Sequence, residues 1–346
     1  MKKLLIVLLL ARMCAPAVAQ LNAGVARISI TPLEVGMATP LGGYGARDGK
    51  PAEGVHDTIY AKALLFERDG EKSALVALDV CGLPIGLVED SVAKAGIDGL
   101  TLDRVMMAAS HTHAGLEGFA LDRRNIANNP HIGIFSEELL QFVTERLAQC
   151  LREADSALQP VRAGAGQIRL PDMNRNRRNA ACVDEDLTLL RLDRANGAPY
   201  VALVNYTAHG TIMTEREMLV SGGWAGVMQR TVEALAGQGV TCLFVNGALG
   251  DMSPKGAQGG SRWEMAEDYG RRVGIQAARL WDGVKTAEVA RFAVRSAWLD
   301  LPTPRPAPDF VKIAGSEYHV TQEQLEMLLP VMFPSRAPLY ALRIND

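Results

Sequence analysis

Short apolar runs rich in Val, Leu, Ile and Ala recur along the chain and alternate with longer amphipathic segments. Such runs are typical of strands buried on both faces, and they cover residues 61–66, 73–80, 104–108, 200–206 and 241–245. Helical periodicity predicts helices over residues 136–153, 224–236, 263–281 and 322–329, with Ser136 and Thr321 as N-caps. Strands that alternate with helices predict an α/β fold, with mixed β-sheets covered by helices in a single large domain.

The composition sets outer limits on function. The chain has 346 residues, of which 48% are hydrophobic, so it is long and apolar enough to bury a large core. Its 36 basic and 39 acidic residues give a formal net charge of −3, and this balance excludes a protein that binds nucleic acid through a basic surface. After residue 19, no stretch of the sequence is long and apolar enough for a transmembrane segment.

Residues 1–19 have the pattern of a signal peptide. Lys2 and Lys3 precede a short apolar run over residues 4–11, and Ala17-Val18-Ala19 matches the small-x-small cleavage pattern. We therefore expect a secreted or periplasmic protein whose folded part begins at residue 20. That compartment permits disulfides. The remaining cysteines lack metal-binding spacing and are predicted to be buried free thiols, with at most one disulfide among them: Cys81, Cys150, Cys182 and Cys242.

Polar and glycine-rich sequences follow three of the predicted strands directly. Residues 109–115 contain two histidines, residues 207–211 contain a third, and residues 246–254 contain Asp251 and Ser253. In open α/β sheets, binding and catalytic sites lie beyond the carboxyl ends of the strands. We therefore expect the three segments to meet at one edge of one sheet.

Three histidines stand out within these segments. His111 and His113 are two residues apart, and in an extended backbone residues i and i+2 project to the same side. With His209 they offer three imidazoles, and a catalytic zinc site has three protein ligands and an open position for water. The alternative for the His-x-His pair alone is an exposed loop without a metal.

Two further motifs carry chemistry-bearing residue types. Residues 174–179 form a dense cluster of Asn and Arg, which is either a solvated loop or the source of an arginine that stabilises an oxyanion. Ser253 qualifies as a nucleophile only if a base lies nearby.

Taken together and in order, these motifs resemble the neutral/alkaline (non-lysosomal) ceramidase family, specifically its N-terminal catalytic domain. Each motif is weak alone, but their order and co-occurrence along the chain make the match specific. The matching segments are residues 23–32, Gly42-Gly43-Tyr44, Val55-His56-Asp57, Leu78-Asp79, residues 110–115, Asn174-Arg175, His209-Gly210-Thr211 and residues 250–254.

The resemblance implies a hydrolase that uses Zn²⁺ and cleaves the N-acyl bond of ceramide to give a fatty acid and sphingosine. The family's first two zinc histidines fall on His111 and His209. The second histidine of the His-Thr-His motif, which lies near the substrate amide, falls on His113. The active-site serine falls on Ser253, and an arginine of the Asn-Arg motif falls on Arg175.

The sequence departs from the family pattern towards its C-terminal end. The family's remaining zinc ligands are a Glu in a Gly-Glu motif and a Tyr, and no Gly-Glu follows Asp251; Glu317-Tyr318 stands in a different context. Residues 339–344 alternate as a strand does, and the Gly-Glu would follow such a strand. We therefore interpret residues 20–346 as a ceramidase N-terminal-like domain that is incomplete at its C-terminus, and we find no counterpart of the β-sandwich domain of larger ceramidases.

Three hypotheses follow. The first is an exported zinc-dependent amidase that acts on ceramide or another lipid amide, with a membrane surface as one candidate place where it meets its substrate. The second is a catalytically impaired fragment that lacks the Glu and Tyr ligands. The third is an esterase that uses Ser253 as its nucleophile, and it needs a base within reach.

Overall fold

A computed structural model describes residues 20–345, so the predicted signal peptide lies outside the described residues. The strands are β1 (Asn22–Ser29), β2 (Gly54–Val55), β3 (Tyr60–Arg68), β4 (Glu71–Leu78), β5 (Val105–Ala109), β6 (Gln159–Arg169), β7 (Asn174–Asn176), β8 (Asp186–Arg194), β9 (Pro199–Tyr206), β10 (Leu219–Val220), β11 (Thr241–Asn246), β12 (Met252–Pro254), β13 (Ala287–Glu288), β14 (Phe292–Asp300) and β15 (Arg336–Ile344). The α-helices are α1 (Ile85–Ala95), α2 (Glu137–Ser156), α3 (Gly223–Ala236), α4 (Arg262–Gly283), α5 (Phe310–Tyr318) and α6 (Gln322–Met332).

The main sheet has nine strands, with the order β11-β9-β8-β6-β1-β3-β4-β5 and with β13 added to β6. The β4–β5 and β9–β11 pairs are parallel and the other pairs are antiparallel, so the sheet is mixed as predicted. Within residues 20–345, the strands of its two halves pair where β1 meets β6, through Asn22↔Pro160 and Ala23↔Gln159.

Three hydrophobic cores show that the two halves of the sheet face each other. The first core lies between the β1-β3-β4-β5 half and helices α1 and α2. The second lies between the β6-β8-β9-β11 half and helices α3 and α4. The third joins the inner faces of both halves, with Leu64 and Phe66 of β3 against Val201 of β9 and Leu243 of β11. The result is a four-layer arrangement of helices, sheet, sheet and helices.

The predicted elements coincide with observed ones. Each of the five predicted strands overlaps one of β3, β4, β5, β9 and β11, and their burial on both faces follows from the helix–sheet and sheet–sheet cores. Ser136 caps α2 by accepting a hydrogen bond from the Leu139 N–H, and Thr321 caps α6 in the same way through Gln324. The α/β fold class is therefore confirmed.

One expectation about the sheet is wrong. The three polar segments do not follow neighbouring strands at one edge of one sheet, because β5 and β11 stand at opposite ends of the strand order. They come together since the sheet folds back at the β1–β6 joint, which places β5 opposite β9 and β11. Stacking of two layers, rather than strand adjacency, therefore assembles the site.

The C-terminal part of the described chain adds a separate hairpin, in which β14 and β15 pair antiparallel from Phe292↔Ile344 to Asp300↔Arg336. Residues 301–307, which are rich in proline, carry no regular secondary structure.

All four cysteines after residue 19 are free; Cys182 is exposed, contrary to expectation, and the other three are buried. Among the described residues, none of the helices combines the length and apolarity needed to span a bilayer.

Close packing of β1 on α2 generates a stability prediction. A methyl group on Gly24 would lie 2.0 Å from the carbonyl oxygen of Ala154, which is backbone and cannot rotate away. We expect Gly24→Ala to lower the free energy of unfolding by about 1–3 kcal/mol. Gly86→Ala is the control, since a methyl there meets no atom within 4 Å. Urea unfolding of both variants checks this, and equal midpoints would contradict it.

Candidate active site

The ends of β5, β9 and β11 are tied together by one side chain, Asn246. Its Nδ2 donates hydrogen bonds of 2.9 Å to the carbonyl oxygens of both Ser110 and Ala208, and its Oδ1 accepts the Ala208 N–H at 3.1 Å. Ser110 directly precedes His111, and Ala208 directly precedes His209. Asn246 therefore fixes the spacing of two histidines that come from opposite layers.

A single backbone bridge, Thr112 to Gly210, joins the same two segments. His111 has a φ of +61°, so its backbone is not extended as the i, i+2 argument assumed. The imidazoles of His111 and His113 nevertheless converge, because the turn at His111 redirects its side chain towards its neighbour. The Trp224 Nε1–H adds a hydrogen bond of 3.1 Å to the His209 carbonyl oxygen from α3.

His111, His113 and His209 form a compact group, which we call the histidine cluster. The Nε2 atoms of His111 and His209 are 3.0 Å apart, and those of His111 and His113 are 3.2 Å apart. Ring centroids are separated by 4.5 to 5.0 Å, with near-perpendicular ring planes. The structure thus brings together all three histidines selected from the sequence.

Hydrogen bonds to the outer nitrogens show which way the imidazoles present their lone pairs. The Nδ1 of His111 lies 2.6 Å from the Cys81 carbonyl oxygen, which only accepts, so this nitrogen carries the proton. Its Nε2 therefore points a lone pair into the cluster. The Nδ1 of His209 has two neighbours of opposite kind, the Leu249 carbonyl oxygen at 3.2 Å, which accepts, and the Nη2 of Arg177 at 2.9 Å, which donates, so these contacts do not assign its tautomer.

Burial keeps the histidine cluster uncharged. It lowers the pKa of His113 to about 2, with further contributions from the neighbouring histidines, and that of His209 to about 4. The pKa of His111 is lowered by the same cause. Neutral imidazoles are the form that binds metal ions.

The donor set fits a zinc ion. Two nitrogens bound to one tetrahedral zinc at 2.0–2.1 Å are about 3.3 Å apart, which is close to the separations of 3.0 and 3.2 Å in the histidine cluster. Cys81, His111 and His113 also form a group whose ligand atoms lie within 4.8 Å of one another. Burial raises the pKa of the Cys81 thiol, however, and the thiolate is the form that binds metal. The chemistry therefore favours the histidines.

Comparison with known proteins places the chain in a family. A model of the N-terminal part of neutral/alkaline non-lysosomal ceramidases matches residues 21–266. The chain belongs to this family. The resemblance predicted from the sequence motifs is thereby confirmed.

Two curated ceramidases and one crystal structure show how far the likeness extends. The chain is 28% identical to the neutral ceramidase of Mycobacterium tuberculosis over 67% of this chain and 39% of that protein. It is 25% identical to neutral ceramidase A of Dictyostelium discoideum over 54% of this chain and 28% of that protein. The crystal structure of the Pseudomonas aeruginosa neutral ceramidase has the same fold, with a TM-score of 0.76 at 21% identity over 94% of this chain and 61% of that chain. The chain thus spans less than two thirds of each relative.

Arginine 177, rather than Arg175, contacts the histidine cluster of this family member. Its Nη2 lies 2.9 Å from the Nδ1 of His209 and donates a hydrogen bond of 2.5 Å to the Gly250 carbonyl oxygen. Arg175 is exposed and pairs in the backbone ladder with Ser253. Arg175 lies in β7 and Arg177 just beyond its end, and sequence alone does not say which of the two arginines reaches the site.

Ser253 is buried on β12, next to the histidine-bearing segment. The His209 N–H donates a hydrogen bond of 3.0 Å to the carbonyl oxygen of Met252, the residue before Ser253. Asp251 is held by Asn176, whose Nδ2 donates to its carboxylate at 3.0 Å. The Gly-Asp-x-Ser-Pro segment is thus attached to the backbone of the cluster.

The sequence does not indicate a role for Arg47, whose buried guanidinium binds backbone carbonyl oxygens around His113. Its Nη1 donates hydrogen bonds of 2.6 Å to the carbonyl oxygens of Gly42 and His113, and its Nη2 reaches those of Thr214 and Glu217. One side chain therefore connects three segments around His113. An arginine in a Gly-rich loop gives no sign of this role, because its partners are all backbone atoms distant in sequence.

The depressed histidine pKa values generate a prediction for metal-free protein. A group whose pKa is lowered by folding binds protons better when unfolded, so its contribution to stability is complete above about pH 6.5 and falls with pH below that value. Between pH 7.5 and 5, EDTA-treated wild type is expected to lose about 2 kcal/mol more unfolding free energy than His113→Gln. Urea unfolding at both pH values checks this; equal losses would show that His113 is not buried as a free base.

Proposed function

We propose that the chain is a zinc-dependent amide hydrolase of the neutral ceramidase type, which cleaves the N-acyl bond of ceramide or another lipid amide. The convergence of three imidazole Nε2 atoms at separations of 3.0 and 3.2 Å carries this proposal. Family membership supports the reaction class, because the matched relatives bear the name ceramidase.

In this proposal, His111 and His209 hold the zinc ion. A bound zinc ion supplies a Lewis acid for the amide carbonyl and lowers the pKa of water. His113 is the neutral imidazole beside them, and its place in the His-Thr-His motif supports a role in passing a proton to the leaving nitrogen as the C–N bond breaks. The Arg47 guanidinium donates hydrogen bonds to the carbonyl oxygens of His113, Thr214 and Glu217 and so keeps the His113 backbone in place.

Ser253 is proposed as the active-site serine, in line with its place in the Gly-Asp-x-Ser-Pro motif. Its burial and its attachment to the His209 segment through Met252 support a role at the reacting amide. Arg175 was the arginine selected from the sequence, but the contacts favour Arg177 for stabilising the oxyanion of the transition state. An arginine has five N–H donors, and Arg177 uses few of them on protein atoms.

Export through a signal peptide over residues 1–19 remains part of the proposal. It rests on the lysines, the apolar run and the Ala-Val-Ala site of the sequence. A lipid amide as substrate is consistent with an extracellular or periplasmic enzyme that meets lipids at a membrane surface.

Metal analysis and lipid hydrolysis test this function together. Purified protein is expected to hold about one zinc ion per chain and to release fatty acid from an N-acyl lipid amide. His111→Ala should weaken zinc binding more than about 100-fold and abolish hydrolysis, because it removes a direct ligand. His56→Ala is the matched control, since His56 bonds to Asp57 outside the cluster. Hydrolysis that persists without zinc or without His111 would refute the proposal.

A pair of arginine variants tests which arginine serves the reaction. Arg177→Ala is expected to lower kcat/KM by about 10²–10³-fold, the effect of removing one donor to an oxyanion. Arg175→Ala should change kcat/KM by less than about threefold, because an exposed residue away from the histidines makes no such contact. Zinc content should be retained in both variants. The reverse order of effects would restore Arg175 to the role that the sequence motif suggested.

A further inference from the structure

Asp57 belongs to the Val55-His56-Asp57 motif, to which the proposed mechanism gives no role. The motif begins in β2, which pairs in parallel with β10 through Val55↔Val220. The Val220 carbonyl oxygen also accepts the N–H groups of His56 and Asp57, at 2.9 and 3.2 Å. This pairing places Asp57 beside Ser221, the residue that directly follows β10 and leads into helix α3.

The Asp57 carboxylate holds the N-terminal end of α3. Its Oδ2 accepts a hydrogen bond from Ser221 Oγ, and its Oδ1 accepts the Gly222 N–H at 3.1 Å. Ser221 Oγ in turn accepts the Gly223 N–H at 3.0 Å. The first N–H groups of a helix have no partner within the helix. Gly222 is the N-cap and has no side chain, so Asp57 supplies the oxygen that an N-cap side chain would otherwise provide.

The same end of α3 contacts the segment that carries His111 and His113. The Ser221 carbonyl oxygen accepts the hydroxyl of Thr112, the residue between the two histidines, at 2.9 Å. The Ser221 N–H donates to the Ala114 carbonyl oxygen at 2.8 Å. Ser221 is therefore bonded to the residues on both sides of His113.

The first turn of α3 also contacts the segment that carries His209. The Nε1–H of Trp224, whose side chain is buried, donates the hydrogen bond of 3.1 Å to the His209 carbonyl oxygen. Because Trp224 is the second residue of α3, the position of its indole depends on where the helix begins. Residues 221–224 thus bond to both of the segments that Asn246 joins.

We propose that Asp57 is a positioning residue for the histidine cluster: by holding residues 221–223, it keeps the end of α3 against the segments that carry His111 and His209. This inference rests on the proposed function, in which those two histidines hold the zinc ion. Two more groups reach the carboxylate. Arg230 of α3 pairs with its Oδ1 at 3.0 Å, and the exposed His56 donates to its Oδ2 at 2.9 Å.

The zinc affinity of purified protein tests the inference without turnover. In competition with a chromogenic chelator, Asp57→Ala is expected to bind zinc about tenfold more weakly than wild type, because the histidine segments lose a common support. Asp57→Asn keeps an oxygen for the Gly222 N–H and an amide that can donate to Ser221 Oγ, so its affinity should stay within about threefold. His56→Ala removes only an exposed donor and should also stay within about threefold. Gly24→Ala, which weakens the packing of β1 on α2, is the control for lost stability and should leave zinc affinity unchanged.

Hydrogen exchange at the Trp224 indole measures the same role in metal-free protein. In Asp57→Ala, NMR is expected to show that the Nε1 proton of Trp224 exchanges at least about tenfold faster than in wild type, because its hydrogen bond to His209 opens locally. Trp281 of α4 is the internal reference, since its side chain is also buried. Its exchange rate should change by less than about threefold.

Equal acceleration of both indoles would overturn the inference, because it would report a loss of global stability alone. Unchanged zinc affinity or unchanged Trp224 exchange in Asp57→Ala would also overturn it, as would an equal loss of affinity in Asp57→Asn. If wild type binds no zinc but Asp57→Ala accelerates exchange at Trp224 and not at Trp281, the proposed function fails and the positioning role stands.

Discussion

The site depends on one close contact between two layers, the bridge that joins Thr112 to Gly210. A methyl group on Gly210 would lie 2.1 Å from the carbonyl oxygen of His111, so the two segments touch only because residue 210 has no side chain. Any larger residue would separate the backbones that carry His111 and His209. Asn246 then fixes the distance with hydrogen bonds to both sides. The spacing of the segments that carry the histidine cluster is thus a consequence of backbone packing.

The sequence was informative where periodicity and residue type agree. Continuous apolar runs identified β3, β4, β5, β9 and β11, because a strand covered on both faces excludes polar residues. It was less informative for β6 and β8, where exposed and buried residues alternate and Gly164 and Gly166 interrupt the pattern. Nor does periodicity reveal what covers a strand. A helix and a second sheet layer require the same apolar side chains, so the folding back of the sheet at the β1–β6 joint was not predictable.

The same limit applies to the residues of the site. The three histidines were found because imidazoles at strand ends are rare and chemically distinctive. Arg47 was missed because its partners are backbone groups, and backbone partners leave no pattern in a sequence. For Arg175 and Arg177, the motif narrowed the choice to the short polar segment over residues 174–179. The contacts of Arg177 with the Nδ1 of His209 and with the Gly250 carbonyl oxygen are what distinguish it from Arg175.

Two arginines of different exposure, Arg47 and Arg177, lie close to the histidine cluster. Towards the interior, Arg47 is surrounded by carbonyl oxygens and stabilises backbone, so its charge is dispersed over four acceptors. Towards solvent, Arg177 is exposed and lies against His209. Both charges lower the pKa of His113, which adds to the effect of burial. The Nε2 atoms of His111 and His209, which are 3.0 Å apart, form a hydrogen bond when one neutral ring carries its proton on Nε2, and a metal ion held by both atoms would replace that proton. Burial and the two arginines therefore favour neutral imidazoles, which is the form that binds a metal ion.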